Sequence, residues 1–277
     1  MPVLGIKITM LNNILSAFQE DFFLRALLAL FLSGISAACL GSYIILRRMS
    51  FISTAMTHSI LPGVVLAVLL GFSAYWGALI AALLTAAGIS WISSRKGTSE
   101  DSAIGVMLSV MFALGIAFMG LSHSWRDFTG LLFGSIVSVS AEDIGVILGT
   151  TFIVLFCLRL VHKELELASF DEEYAHLLGA KPVLLRSVLL ILIALAAVAS
   201  VRLVGALLTT ALFIIPSTTG VLIGKNLKEV MLWSVICACG GGTLGLIISY
   251  TFQGIPAGAA IVLGCAIPYF IVRIKNR

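Results

Sequence analysis

A chain of 277 residues that is 60% hydrophobic and 11% charged, with a mean hydropathy of +1.14, is excluded from the water-soluble classes. It has too little polar surface to cover a soluble domain. Runs of about 20 apolar residues recur along its whole length, each long enough to cross a hydrocarbon core of about 30 Å, and they identify an all-α polytopic membrane protein. The formal net charge of +4 matters less than where the charges lie.

Residues 1–21 carry Lys7 but no compact apolar region ending in a small-residue cleavage site. They read as an external or interfacial segment, and no removable signal peptide is expected. Nine apolar segments follow, at 22–46, 56–72, 74–93, 103–122, 142–161, 184–201, 203–224, 229–250 and 256–274. A neighbouring pair can merge, so about 8–9 spanning helices in one domain over 1–277 are predicted. If the loop at Arg47-Arg48 is cytoplasmic and every segment crosses once, thirteen of the 17 Lys and Arg fall inside. Only Lys7, Arg25, Arg126 and Arg202 fall outside. That bias predicts a cytoplasmic C-terminus.

The second segment opens with RRMSFISTAMTHSILPG. Pro62 has no amide for the carbonyl four residues back, which belongs to His58, so a kink and an unpaired polar pair within the span are expected. Thr54 lies one turn before His58 on the same face. An imidazole is a good ligand for divalent transition metals, and a hydroxyl or freed carbonyl is an adequate oxygen companion. Further on, Glu100 and Asp101 in TSEDSAIG either complement the start of the fourth helix, where Ser99 or Thr98 can cap, or mark an inner exit or partner contact. The external loop His123–Asp127, HSWRD, is either an interfacial loop anchored by Trp125 or a surface facing a delivery protein.

Residues 162–182, HKELELASFDEEYAHLLGAKP, form the longest charged stretch and read as a cytoplasmic loop. Within it Phe170 to Leu178 suits a short helix: Asp171, Glu172 and Glu173 favour its N-terminal end, and Gly179 its stop. It is either solvated or an element that a soluble partner grips. His162 and His176 read as solvated or partner-facing. In FIIPSTTG, Pro216 frees the carbonyl of Leu212 beside the hydroxyls of Ser217, Thr218 and Thr219, which marks a packing kink or the wall or gate of a pathway. Gly241 and Gly245 have the small-xxx-small spacing of close helix packing. The five cysteines all lie in apolar runs without ligand spacing and read as small buried hydrophobes. No GxxxxGK[ST] phosphate loop occurs in this sequence, so a nucleotide that energises it is bound by another chain.

The blocks LGSYIILRRMSFISTAMTHSILPGVVLA, EDSAIG, LLFGSIVSVSAEDI, LASFDEEYAHLLGA, VGALLTTALFIIPSTTG and IPAGAAIVL appear in that order. Together, from about Arg25 to Ile274, they resemble the membrane subunits of the zinc/manganese/iron ABC importers, the ABC-3 permease family. The resemblance implies a type II importer with a fold related to the vitamin B12 and haem importer permeases. It implies two permease subunits, ABC ATPase subunits and an extracellular metal-binding lipoprotein in a bacterial-type cytoplasmic membrane, with lipid but no nucleic acid as a partner. Phe170, Asp171, Glu173, Tyr174, Ala175, Leu178 and Gly179 would then belong to the coupling helix that enters a groove on the ATPase. No catalytic site and no bound cofactor are implied for this chain, only a transported Mn, Zn or Fe ion.

The family pattern in the second span is usually D-A-L-S-H, an acid and an imidazole one turn apart at the metal path. Here His58 matches, and Thr54 stands where the aspartate would be. A hydroxyl lacks the charge that offsets a dication's lost hydration. Three readings remain: half of a site completed by an acid of the partner permease, looser handling of the ion, or a structural histidine bonded to Thr54. A stand-alone secondary transporter or channel is the rival function. It predicts coupling acids inside the spans, of which there are almost none, and leaves the 162–182 stretch unexplained.

Overall fold

A computed structural model of the protein describes residues 18–95, 97–122, 139–252 and 254–275. The segment 1–21 falls largely outside the described residues, and so does the whole of His123–Asp127. In chain order the helices are α1 (Asp21–Leu46), α2 (Ile52–Ser59), α3 (Leu61–Leu69), α4 (Ala74–Ser93) and α5 (Glu100–Ser122). They continue with α6 (Ala141–Phe170), α7 (Glu172–Leu177), α8 (Pro182–Ile223), α9 (Leu227–Thr251) and α10 (Ala257–Lys275). Among the described residues nine stretches are long and apolar enough to cross a membrane, α2 and α3 making one span and α8 two.

Helix α1 is the central post, packed against α8, α9 and α6. Its buried side is rich in small residues, Ala26, Ala29, Ser33, Ala37, Ala38 and Gly41 among them. Lipid tails are as apolar as leucine, so helices gain from meeting only when their backbones approach closely. A Cβ at Gly41 would strike the Phe213 carbonyl and the Ser217 hydroxyl of α8. The α9–α10 contact works the same way: a Cβ on Gly241 would come within 2.7 Å of the Cys265 backbone, and one on Gly245 would collide with the Ala260 carbonyl. This is the close packing that their spacing predicts. All five cysteines are free, with Cys237 and Cys265 buried.

Two boundaries differ from the sequence expectation. Helix α6 does not stop at 161 but continues to Phe170, so residues 162–170 are helix rather than loop. The reason is local: Lys, Glu, Leu and Ala in HKELELASF are strong helix formers, and leaving the hydrocarbon does not remove that preference. In α8 the expected pair of spans forms one helical run broken only at Gly205, with φ 77° and ψ 165°, a conformation open to glycine alone. Its arms, Pro182–Val201 and Val204–Ile223, follow the two predicted segments.

Helix α5 is the least buried of the spans, which leaves its outer face to lipid or another chain. The alternation of sides has a structural counterpart. Arg47 after α1, Glu100 at the start of α5 and Arg186 at the start of α8 meet in one ion cluster, so these three ends lie together at one side of the bundle.

Candidate metal path and coupling surface

The α2–α3 break forms where Pro62 sits in the first turn of α3 and gives no amide to the α2 carbonyls. Ile60, between the two helices, keeps right-handed dihedrals of φ −70° and ψ −22°. The break is thus an interruption of hydrogen bonding more than of direction. The His58 carbonyl is not wholly free, because the Ile60 amide is directed at it.

The His58 ring is half-buried and meets Phe112 of α5 edge-on, with centroids 5.6 Å apart and planes at 79°. Its Nδ1 is buried and has no hydrogen-bond partner, as is the Ser59 hydroxyl beside it. Thr54 is half-buried one turn earlier, and its carbonyl accepts from the Thr57 hydroxyl at 3.0 Å. Among the described residues no hydrogen bond joins Thr54 to His58. Nor does any group of three or more His, Cys, Asp or Glu come together there. The site therefore offers a nitrogen with an open lone pair or proton and two hydroxyls, but no carboxylate of its own.

The other predicted path residues are occupied. Pro216 is buried, the Ser217 hydroxyl donates across the seam to the Ala38 carbonyl of α1 at 3.2 Å, and the Thr218 hydroxyl donates back to Ile214 at 2.7 Å. Thr219 does the same to Ile215 at 2.9 Å. These hydroxyls serve the helix and its packing, and no hydrogen bond connects them to His58.

Helix α7 begins where Asp171, in an extended conformation, caps it by accepting from the Tyr174 amide at 2.8 Å. Phe170 is the last residue of α6, not the first of the short helix as its sequence position suggested. Gly179, at φ 85°, closes α7: its amide donates to His176 at 3.0 Å and that of Ala180 to Ala175 at 3.0 Å. This double closure needs a left-handed residue, which glycine supplies without strain. Ala175 is fully buried and pins α7 to the bundle, whereas Phe170, Tyr174, Leu177 and Leu178 stand exposed with Asp171 and Glu173 beside them. Such a projecting apolar surface rimmed by acids is of the kind that marks a protein or membrane contact.

Sequence reasoning missed the ion cluster. Glu100 Oε1 accepts from Arg186 Nη1 at 3.0 Å and lies 3.9 Å from Arg47 Nη2. The capping role falls to Ser99, whose hydroxyl accepts from the Ser102 amide at 3.2 Å, leaving Glu100 free for the arginines. His162 is also not solvated: its side chain is 17% exposed, and Nδ1 shares a hydrogen bond of 2.6 Å with the Tyr43 hydroxyl. No local pattern announces either pairing.

The model of the ABC 3 transport family matches residues 19–276. The manganese import system permease protein ScaB of Streptococcus gordonii is 34% identical over 95% of this chain and 94% of its own length. A probable iron transport system membrane protein of Haemophilus influenzae is 29% identical over 96% of this chain and 97% of its own. Among solved structures, that of PsaBC from Streptococcus pneumoniae in complex with Fab superposes with a TM-score of 0.82 at 32% identity, covering 94% of both chains. With the match running from the first described helix to the last, the chain belongs to the ABC 3 transport family.

Proposed function

We propose that this chain is the permease subunit of an ATP-driven importer of a divalent transition metal ion, of the manganese or iron kind that its relatives are named for. The observation that carries the reading is α7. It is too short to span, yet it holds apolar side chains out of the bundle at the end that carries the Arg47–Glu100–Arg186 cluster. A chain without a phosphate loop needs such a handle for a motor to act on it. The ATPase grips α7, a second permease faces the path, and an extracellular binding protein delivers the ion. This chain makes and breaks no bond of any substrate. It sits in a bacterial-type cytoplasmic membrane with its C-terminus inside, the side that the lysine and arginine bias selects.

The metal enters as substrate past His58. Its buried, unpartnered Nδ1 is the donor this chain contributes, and Thr54 adds a hydroxyl at most. An acid from the partner permease completes the site, because one imidazole and neutral oxygens do not offset the hydration a dication loses. Reconstitution tests the whole reading. Liposomes holding the permease pair and ATPase accumulate radiolabelled manganese only with internal ATP, and omission of the ATPase abolishes uptake. Full ATP-independent uptake by this chain alone would overturn it in favour of a secondary transporter.

A further inference from the structure

Helices α6 and α9 both pack on α1 and leave between them a cleft of about 650 Å³ on the side that bears α7. Its rim carries Arg159 and Lys163 of α6 and Lys228 of α9, with Glu166 as the single acid. Three cations against one carboxylate leave a charge of +2, and Glu166 is itself turned towards His162, with 3.7 Å between its carboxylate and Nε2. Among the described residues no hydrogen bond or ion pair engages Arg159, Lys163 or Lys228, and each is exposed.

The floor is different. Leu155 lies one turn, about 6 Å, deeper than Arg159. Met231 is likewise deeper than Lys228, and Leu158 and Cys39 add to the apolar lining. Next to these lining residues along α6 and α9, Phe156 and Leu160 of α6 and Leu232 and Ile236 of α9 are exposed apolar side chains within membrane spans, as expected of surfaces that face hydrocarbon. The back wall is rigid, because His162 is held by Tyr43 across to α1.

We propose that this cleft binds one anionic phospholipid, its phosphate among Arg159, Lys163 and Lys228 and an acyl chain along Leu155, Leu158 and Met231. A basic rim over an apolar floor, at the level where a span leaves the membrane, matches an amphiphile with a negative head. A soluble anion uses only the rim, and a protein partner cannot reach the floor from water. Bound there, the lipid links α6, which leads directly into α7, to α9, and so lies beside the path of force from the motor. The proposal does not depend on which metal is carried.

Native mass spectrometry of the full-length chain in detergent tests it, with palmitoyl-oleoyl phosphatidylglycerol or phosphatidylcholine as added probe. The wild type retains one phosphatidylglycerol in preference to phosphatidylcholine. Arg159→Gln lowers that retention about fivefold, the equivalent of about 1 kcal/mol for one basic residue at the surface. The Arg159→Gln, Lys163→Gln, Lys228→Gln triple variant lowers it more than tenfold, while Arg273→Gln with Lys275→Gln leaves it unchanged. If the triple variant does not fold, the single Arg159 and Lys228 variants, checked by their melting curves, carry the test. Equal retention in variant and wild type overturns the proposal. So does displacement of the lipid by inorganic phosphate, which would make the cleft a site for a free anion.

Discussion

Replacing Glu100 with glutamine strands two guanidiniums. The Arg47 and Arg186 side chains are only 5% and 7% exposed, and Arg47 Nη1 and Arg186 Nε already lack partners. At an effective dielectric of about 20, unit charges about 4 Å apart attract by about 4 kcal/mol. Removing one partner of a buried pair costs about 3–5 kcal/mol, because the desolvation of the remaining charge is no longer offset. Glu100 keeps 24% of its side chain exposed, so water softens the loss and about 3 kcal/mol is expected, the low end of that range. For a chain of this size that is a fall of roughly 6–12 °C in Tm. A thiol-reactive dye reads the transition through the buried Cys237 and Cys265, which are labelled on unfolding. Arg47→Gln, which removes only the contact at 3.9 Å, should cost about 1 kcal/mol, within the usual range of a weak pair. Adding Arg186→Gln to Glu100→Gln removes one stranded cation, so the double variant should be more stable than the sum of the single losses by about 1–2 kcal/mol. A melting point for Glu100→Gln within 2 °C of wild type, together with strict additivity, would refute the cluster as a clamp between α1, α5 and α8.

Three further outcomes follow from the path, the coupling surface and the glycine seam. His58→Ala should reduce ATP-driven manganese uptake more than tenfold with expression and Tm unchanged, and Thr54→Asp should tighten metal binding measured by competition. Wild-type uptake in His58→Ala would leave His58 a structural residue. Leu177, 79% exposed on α7, tolerates Asp without loss of fold, but that charge should abolish co-purification of the ATPase; retention of the ATPase would move the coupling surface elsewhere. Gly245→Leu drives a side chain into the Ala260 carbonyl and should cost more than about 3 kcal/mol, seen as loss of the monodisperse peak on size exclusion, whereas Gly240→Leu, with open space around it, should be silent.

Much of this protein is legible residue by residue. Hydropathy is a local property, and in lipid every backbone amide must be satisfied within its own helix, so nine spans follow from the sequence with few alternatives. The same holds for the α2–α3 break at Pro62, the acidic start of α7 and its stop at Gly179, and the Gly241–Gly245 seam. Each depends on what a residue can do within one turn or against one neighbour. The extension of α6 to Phe170 escapes hydropathy alone, because polarity ends a span but not a helix whose intrinsic propensity carries it on.

The pairings across the bundle lie beyond local pattern. Glu100 finds Arg186 at a separation of 86 residues, and Tyr43 finds His162 at 119. Of the hydroxyls beside Pro216 that suited a pathway wall from sequence, that of Ser217 bonds across the α1–α8 seam and those of Thr218 and Thr219 bond back within α8. A single chain's periodicity states which face of a helix is polar but not what stands opposite it, because that depends on how helices distant in sequence pack. The sequence by itself therefore determined the spans and the short helix α7 between α6 and α8. Only the tertiary structure decided which charges meet, which hydroxyls are spent, and that His58 keeps a nitrogen unpaired.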